Sequence, residues 1–421
     1  MAKNQIIQVH LFGTKIGRLG FDEQRNISSF EYDSDFLLAN KWKNIFPIKG
    51  VINRVPQVQL YKKYHGETFR SLPPPIANSL PDNFGSMIFK TWLEQNGFEE
   101  ISILEQLSYI GSRGMGAIVY IPNKDLPSHS SINIDEIISV LKQVMDSKMK
   151  ASQDELNTKG LLNIFKMGSS PGGARAKLLI AEHKESGEII PGDIVHSQDY
   201  YHYLIKLAID EDNSYPREII EYCYYESQKK LGIEMMDSKL IEDKHFATQR
   251  FDRQDGTKQH VLTACGMTGW DFKNPEVSSY ENLFELSSYL KIPQAQMVEL
   301  FKRMVFNVIY ENTDDHLKNH SYIYNQDEDR WYLSPAYDIT YAQNPLLRIT
   351  RTSRALSING KRGRIGINDL LKIADDYTIK NPKGIINEVY EVKIFLLEQM
   401  HKHNILDRII SLIDKRITLP T

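Results

Sequence analysis

The hydrophobic pattern changes its period along the chain, and this change limits the folds that the sequence can adopt. Near the start, Ile7, Val9 and Leu11 alternate with other residues, a period of two that is typical of a β-strand. A Gly-Thr turn and the segment KIGRLGFD follow, so we expect a β-hairpin there. Beyond residue 280, apolar residues recur at helical spacing, as in AQMVELFKRMVFNVIYENT. Strand patterns followed by helix patterns favour an α+β fold over a doubly wound parallel sheet.

Length, charge and cysteine content exclude several classes of protein. At roughly 100–200 residues per domain, the 421 residues fit two or three units. The net charge of −3 argues against a surface that binds nucleic acid over its whole extent. Cys223 and Cys265 form no CxxC pair, so we expect no disulfide framework or structural zinc site, and a reducing cytoplasm as the location. No apolar run approaches the roughly 18 residues of a spanning helix, so no membrane partner is expected.

Turn-rich segments divide the chain into three predicted parts. The loop LPPPIANSLPDNFG and the helix-like segments SMIFKTWLEQNG and ISILEQLSYIG complete a small α+β unit at residues 1–112. Residues 113–253 are predicted to hold a bridge, with the strand GAIVYIP and the helix IDEIISVLKQVMDSK, and then a β-rich lobe. Residues 254–421 are predicted to form a helical lobe, which ends with the helices INEVYEVKIFLLEQMHKHN and LDRIISLIDKRI.

The segment NTDDHLKNH, residues 312–320, carries the strongest local signal for chemistry. Asp314 is followed five residues later by Asn319, the interval of the kinase catalytic loop D-x-x-x-x-N. In such a loop the carboxylate meets an attacking hydroxyl, while the amide oxygen holds Mg²⁺ on the phosphates. Lys318 would add positive charge near a transferring phosphoryl group. Considered alone, the segment is explained equally well as a solvated helix end of mixed charge.

Other charged residues fit the same kind of site. Asp338, in LSPAYDI, follows an apolar strand and would suit Mg²⁺, although a turn-capping role is the simpler explanation of this residue alone. Lys206 lies in the apolar strand YHYLIKLAI, where a lysine costs free energy unless it meets an anion or faces water at a sheet edge. The helix that follows offers glutamate partners of the kinase type. These are Glu218, Glu221 and Glu226.

The loop GSSPGGARAK, residues 168–177, precedes these elements. It matches neither the Walker motif nor G-x-G-x-x-G, but Gly172 and Gly173 would let backbone N–H groups approach phosphates. Considered alone, it is a plain flexible turn. A Gly-rich loop, a strand lysine, a helix glutamate, D-x-x-x-x-N and an aspartate follow one another in kinase order. Their joint occurrence is far less expected by chance than any single match.

At this level of detail the sequence resembles the HipA family of bacterial serine/threonine kinases. GSSPGGARAK, RFDR, NTDDHLKNHSYIY and LSPAYDI resemble the kinase part, which would run from about residue 160 to 410. FGTKIGRLGFD and SLPPPIANSLPD resemble the N-terminal subdomain of that family. The resemblance covers most of the chain. It implies a two-lobed protein-kinase-like fold, with a β-rich N-lobe and an all-helical C-lobe, preceded by a small α+β subdomain.

The resemblance also implies roles for individual residues. Asp314 matches the catalytic aspartate that orients and deprotonates the substrate hydroxyl, and Asn319 and Asp338 match the Mg²⁺ ligands. Lys206 matches the lysine on the ATP phosphates, with Glu221 as its expected partner. Residues of the interlobe segment would meet adenine. These are Gln249, Arg250 and Phe251.

Regulation and partners are implied in the same way. Ser170 matches the serine that the family autophosphorylates, and the adjacent Ser169 is the less favoured site. The expected partners are a HipB-like helix-turn-helix antitoxin on a separate chain and a protein substrate, for which an aminoacyl-tRNA synthetase is one candidate. DNA would be contacted mainly through the antitoxin. Two alternatives stay open: a nucleotide-binding pseudokinase that acts as a corepressor with a DNA-binding partner, and a lipid or small-molecule kinase.

Two further patterns in the sequence each allow a functional and a structural explanation. His316 and His320 have the spacing of metal ligands on a helix, but the H-E-x-x-H glutamate is missing, so a structural role is favoured. The stretch 346–367 is basic and lacks Asp and Glu, so it would contact an acidic substrate or nucleic acid, or equally form a solvated loop. Its basic residues are Arg348, Arg351, Arg354, Lys361, Arg362 and Arg364.

Overall fold

The computed structural model describes most of the chain, including the catalytic-loop motif but not the Gly-rich loop. The described residues are 6–81, 101–123, 134, 137–139, 177–192, 197–209, 215–346 and 353–421. Several predicted site residues lie outside these ranges. They are Ser169, Ser170, Gly172, Gly173, Arg348 and Arg351.

An antiparallel sheet organises the first part of the chain, which we call the N-terminal module (residues 6–81 and 101–123). Its strands are β1 (Ile6–Leu11), β2 (Thr14–Asp22), β3 (Ile27–Tyr32), β4 (Gln59–Tyr61) and β5 (Ile118–Ile121), in the order β4-β3-β2-β1-β5. The predicted hairpin is confirmed, since β1 pairs with β2 across a turn at Gly13, which has a positive φ. Strand β5 pairs with β1, so the segment GAIVYIP belongs to this sheet and not to a bridge after residue 112. The module extends past its predicted boundary because the edge of β1 needs a hydrogen-bonding partner.

Three helices accompany this sheet: α1 (Ser34–Ala39), α2 (Pro74–Ala77) and α3 (Ile103–Ile110). Helix α3 confirms the predicted helix in ISILEQLSYIG. Its N-terminus is a capping box, in which the Ser102 hydroxyl accepts the Glu105 N–H and the Glu105 carboxylate accepts the Ser102 N–H. The predicted helix in SMIFKTWLEQNG lies outside the described residues.

A second antiparallel sheet forms the β-rich lobe. Its strands are β6 (Lys177–His183), β7 (Ile189–Pro191), β8 (Tyr200–Lys206), β9 (Ser238–Ile241) and β10 (His245–Gln249), in the order β7-β6-β8-β10-β9. Helix α4 (Arg217–Lys230) contacts β9 and β10. Strand β8 is the central strand, so Lys206 is not an edge lysine that faces water, and its side chain is buried.

The C-terminal lobe begins with a short hairpin and then becomes mainly helical. The hairpin strands are β11 (Arg253–Gln254) and β12 (Thr257–Lys258). The helices are α5 (Ala264–Thr268), α6 (Tyr280–Tyr289), α7 (Gln294–Ile309), α8 (Ile367–Asp376), α9 (Pro382–Glu391), α10 (Lys393–Lys402) and α11 (Asp407–Asp414). Among the described residues, none of the helices combines the length and the apolar character that crossing a bilayer requires.

Two details of this lobe differ from expectation. It is not entirely helical, since β13 (His260–Thr263), β14 (Ser321–Asn325) and β15 (Arg330–Leu333) form a three-stranded sheet. Tyr322 and Tyr324, which are two residues apart on β14, are buried together with Trp331 on β15. Alternate residues of a strand lie on the same face of the sheet, so burial of this face stabilises the strands. The helix predicted over INEVYEVKIFLLEQMHKHN is two helices, α9 and α10, which meet at Val392. Both segments bury apolar residues at helical spacing, so the pattern does not reveal the break.

Candidate active site

The catalytic-loop motif follows α7, whose apolar face fixes the position of the loop. Leu300, Phe301 and Met304 are almost completely buried on this helix. The chain leaves the helix at Tyr310, whose carbonyl oxygen accepts a hydrogen bond of 2.9 Å from the Tyr224 hydroxyl of α4. This bond ties the start of the loop to the β-rich lobe.

The D-x-x-x-x-N spacing has a visible structural reason. A 3₁₀ turn, Leu317–Asn319, brings the chain back toward Asp314, with Leu317 completely buried beneath it. The Asn319 side-chain amide then donates a hydrogen bond of 2.9 Å to the Asp314 carbonyl oxygen. The amide oxygen of Asn319 remains as a ligand atom for a cation, and the five-residue interval places it beside Asp314.

Ala336 and Tyr337, the two residues before Asp338, form hydrogen bonds that hold Asp338 next to the catalytic-loop motif. The Ala336 N–H donates to the Glu234 carbonyl oxygen at 2.7 Å, and the Tyr337 hydroxyl donates to the Lys318 carbonyl oxygen at 2.8 Å. Asp338 itself adopts a left-handed backbone conformation, with φ +56°. A non-glycine residue in this region carries strain, which is common at functional sites.

The structure brings together three predicted site residues from separate segments of the chain, and it confirms the expected contact of Lys206 with Glu221. The buried ammonium of Lys206 donates hydrogen bonds to a Glu221 oxygen and to an Asp338 oxygen. Glu221 is therefore the helix glutamate that meets the lysine. The buried lysine and glutamate and the partly exposed aspartate after β15 form one charged group, as in a kinase.

Sequence reasoning missed a second lysine in this group. Lys177 is buried, pairs directly with Lys206 across β6 and β8, and places its Nζ 3.8 Å from an Asp338 oxygen. Cross-strand partners of this kind lie on the same face of a sheet. The signal was present in the sequence, because Lys177 ends the Gly-rich segment and begins an apolar strand.

These charges lie at one end of a pocket between the lobes. The pocket has an empty volume of about 550 Å³ and is partly open to solvent. Lys177, Lys206, Glu221 and Asp338 line it, and the remaining lining is mostly apolar. The apolar side chains are Met115, Leu204, Tyr225, Met235, Phe246 and Ile339. A charged end and an apolar body suit a ligand that combines an anionic group with a flat apolar ring.

The predicted adenine-contacting residues lie next to this pocket. The Phe251 ring is 5.6 Å from the ring of Tyr337, which lines the pocket. Gln249 ends strand β10, and its N–H donates to the Asp237 carbonyl oxygen at 2.9 Å. Arg250 has a structural role, since its buried guanidinium forms two hydrogen bonds with the Asp252 carboxylate. Adenine contacts by Gln249 and Phe251 stay predictions.

The surroundings of Asp338 and Asp314 shift the pKa values of these two carboxyl groups in opposite directions. Burial alone would raise the pKa of Asp338, but Lys177 and Lys206 outweigh it and hold that pKa well below its ordinary value. The Asp314 side chain is accessible to solvent, yet partial loss of hydration, together with the charges of Asp338 and Asp315, raises its pKa. Asp338 thus stays ionised near pH 7, and Asp314 takes up a proton more readily than Asp338 does.

Two other residues of the motif pack against the same ring. The Lys318 ammonium lies 4.7 Å from the centroid of the Phe272 ring, and the His316 ring lies 5.0 Å from it. The charge of Lys318 is therefore in contact with an aromatic face in this structure. The contact of Lys318 with a transferring phosphoryl group stays a prediction.

Burial lowers the pKa of His320 to about 4, so this histidine is neutral near pH 7.

The basic stretch is largely engaged within the chain where the structure describes it. Arg354 donates to the Asp315 carboxylate at 3.0 Å and to the Asn312 carbonyl oxygen at 2.8 Å. Lys361 pairs with Asp369 at 2.8 Å, and Arg362 donates to backbone carbonyl oxygens. These three residues stabilise the segment beside the catalytic loop. Arg364 is exposed, so a contact with substrate or nucleic acid stays a prediction for it and for Arg348 and Arg351.

The buried pair of Arg354 and Asp315 allows a stability test of the catalytic loop. We expect Arg354→Met to lower the free energy of unfolding by roughly 3–5 kcal/mol, because it leaves the Asp315 carboxylate buried without a cation. The double variant Arg354→Met/Asp315→Asn should recover most of this loss. Urea unfolding at pH 7 measures both, with Arg364→Met as the exposed control. A double variant no more stable than the single one would contradict the pairing.

Comparisons with known proteins identify the family and the fold of the chain. Residues 7–121 match the model of the HipA N-terminal domain, and residues 169–394 match that of the HipA-like C-terminal domain. The serine/threonine-protein kinase toxin HipA of Shewanella oneidensis is 22% identical over 355 residues, which are 76% of this chain and 72% of that protein. The solved complex of Shewanella oneidensis MR-1 HipA with HipB and operator DNA superposes with a TM-score of 0.66 at 17% identity, covering 98% of this chain and 95% of that one, and this likeness confirms the predicted fold. Because the C-terminal model alone matches more than half of the chain, this protein belongs to the HipA family.

Proposed function

We propose that this protein is an ATP- and Mg²⁺-dependent serine/threonine kinase that transfers the γ-phosphate to a protein hydroxyl. The observation that carries the proposal is the contact of the buried Lys206 ammonium with both Glu221 and Asp338, beside the loop of Asp314. A lysine–glutamate pair next to a metal-binding aspartate is the arrangement that kinases need for phosphoryl transfer. The kinase name of the curated relative supports the same assignment.

Each residue has a distinct role in this mechanism. Lys177 and Lys206 lie on one face of the sheet and would bind nucleotide phosphates, while the apolar walls would hold the base. The oxygen atoms of Asn319 and Asp338 suit Mg²⁺, which prefers carboxylate and amide oxygens. When bound, Mg²⁺ would neutralise charge on the phosphates. Asp314 would orient the substrate hydroxyl and accept its proton, a role that its raised pKa favours.

We further propose that the kinase is the toxin of a toxin–antitoxin pair. A similar protein has been solved in complex with HipB and operator DNA, which supports a HipB-like antitoxin on a separate chain and DNA contact mainly through that partner. The substrate would be a protein, and an aminoacyl-tRNA synthetase is the candidate to test first.

A transfer assay separates this function from its alternatives. The protein is incubated with Mg²⁺, ATP labelled at the γ-phosphate and bacterial lysate, and protein is then separated from lipid and small molecules. We expect label in protein, and none above background with Asp314→Asn. Label in the lipid fraction would favour a lipid kinase. Nucleotide binding without any transfer would favour a pseudokinase that acts as a corepressor.

Autophosphorylation of Ser170 is the proposed form of self-inactivation. A phosphate adds about −1.5 to −2 charges at neutral pH, which would change a loop that must approach anionic ATP. After incubation with Mg-ATP, we expect intact-mass analysis to show one added phosphate on the wild type and none on Ser170→Ala. Ser169→Ala is the matched control and should keep the phosphate. The same phosphate on Asp314→Asn would contradict self-modification.

A further inference from the structure

We propose that Met115, on the N-terminal module, is a specificity-determining residue of the nucleotide pocket and packs against the base of bound ATP. The inference rests on the proposed function, since it takes ATP as the ligand. It deepens that function, because the N-terminal module then supplies one wall of the site.

The chain around Met115 is fastened to the segment that joins the two lobes. The Gly116 N–H donates to an Asp252 oxygen at 2.8 Å, and Arg253 donates to the Gly114 carbonyl oxygen at 2.9 Å. Asp252 is buried between Arg250 and Arg253, which form ion pairs of 2.8 and 2.7 Å with it. Both neighbours of Met115 are thus bound to one rigid charged group.

Close backbone packing fixes the same segment from the other side. Gly116 has φ +76°, and a Cβ there would lie 3.1 Å from the Val261 carbonyl oxygen. A side chain at this position would be both strained and crowded, so the sequence needs glycine. The Lys258 ammonium also donates to the Ser112 carbonyl oxygen at 2.7 Å. These contacts leave Met115 little freedom to move away from the pocket.

The position of Met115 along the pocket follows from the register of the sheet. Leu204 and Lys206 share one face of β8, about 7 Å apart at roughly 3.3 Å per residue. Leu204 pairs with Thr248, which is near the end of β10, and the chain then continues to Asp252. The two neighbours of Met115 are bound to Asp252 and Arg253, so Met115 enters the pocket at the end where Leu204 lies. The phosphate-binding lysines lie at the other end.

The chemistry of the two ends matches a nucleoside triphosphate. Met115, Leu204 and Met235 offer apolar or polarisable surface to a flat ring, and methionine adapts well to aromatic faces. Lys177 and Lys206 offer positive charge to the phosphates at the opposite end. Met115 should therefore contribute to affinity for the base and not to affinity for the phosphates.

Binding of two Mg²⁺-loaded probes to the 421-residue chain tests whether Met115 contributes to affinity for the base and not for the phosphates. The probes are adenylyl imidodiphosphate, which carries the base, and inorganic tripolyphosphate, which lacks it. We expect Met115→Ala to raise the Kd of the nucleotide roughly 10-fold, as loss of an apolar contact in a pocket does, and to leave that of tripolyphosphate unchanged. Met115→Leu should retain most of the affinity. Met236→Ala is the matched control, since Met236 is half-buried but does not line the pocket.

Kinetics with ATP provide a second measurement. Met115→Ala should raise KM for ATP and leave kcat unchanged, because Met115 is remote from the transferred phosphate. An unchanged nucleotide Kd, or equal weakening of both probes, would overturn the inference. A wild type that binds the nucleotide but transfers no phosphate would instead refute the proposed kinase function and leave the Met115 contact intact. A wild type that does not bind the nucleotide would overturn both.

Discussion

Replacement of Asp314 by Asn is expected to lower kcat for phosphoryl transfer on the order of 10²–10⁴-fold, the usual contribution of a positioned general base. The amide keeps the size of the carboxylate but cannot accept the proton of the hydroxyl. Nucleotide affinity should be retained or slightly increased, because one negative charge near the phosphates is removed. Initial rates with labelled ATP and titration with adenylyl imidodiphosphate measure the two effects separately.

The same experiment includes a control for general damage. Asp327→Asn changes an exposed aspartate on the turn between β14 and β15 and should leave both the rate and the affinity unchanged. The Asn319–Asp314 contact uses a backbone oxygen, so the loop geometry should survive Asp314→Asn. Robust transfer by Asp314→Asn would refute the assignment of this residue as the base.

Replacement of Lys206 by Met should have the second large effect, on both catalysis and stability. It removes the cation between Glu221 and Asp338, and the Glu221 carboxylate is then buried without that partner. Breaking a buried ion pair in this way costs roughly 3–5 kcal/mol. We therefore expect a lower urea midpoint and loss of transfer, whereas Lys184→Met, at an exposed lysine of the same lobe, should change neither.

A double variant separates the two roles of Lys206. In Lys206→Met/Glu221→Gln the buried negative charge is also removed, so urea unfolding should recover much of the lost stability. Transfer should not recover, because the cation that would bind the phosphates is still missing. Recovery of both properties would show that Lys206 has only a structural role. Asp338 should keep Lys177, whose Nζ lies 3.8 Å away in the wild type, as a cationic neighbour in either variant.

Local pattern was sufficient for much of the fold. The N-terminal hairpin, the strand around Lys206, helix α4 and helix α7 lie where the sequence predicted them. These elements have a clear period of two or of 3.6 residues, and each buries the apolar side that the period indicates. The order of motifs along the chain also indicated a kinase-like site before any contact was known.

Other features depend on contacts between distant segments. Strand β5 joins the first sheet because β1 presents an open edge to it, and a four-residue apolar strand does not specify its partner. Lys177 joins the site only through its register with Lys206. Met115 is an unremarkable residue between two glycines until Asp252 and Arg253 place it at the pocket.

The basic stretch illustrates the same limit for charge. Read along the chain, Arg354 and Arg362 belong to an uncompensated basic run. In three dimensions Arg354 meets Asp315, which is 39 residues away in sequence, and Arg362 binds carbonyl oxygens near Ser278. Net charge over a segment therefore does not predict which charges face solvent.

The sequence by itself determined the α+β class and the main strands and helices, and it indicated Lys206, Asp314, Asn319 and Asp338 as candidate site residues. These follow from periodicity and spacing, which are local properties of the chain. The tertiary structure confirmed Glu221 as the partner of Lys206, and it alone decided that Lys177 lies beside Lys206 and that the N-terminal module reaches the pocket. The physical reason is that ion pairs and pocket walls form between residues far apart in sequence, and their partners are set by packing and register.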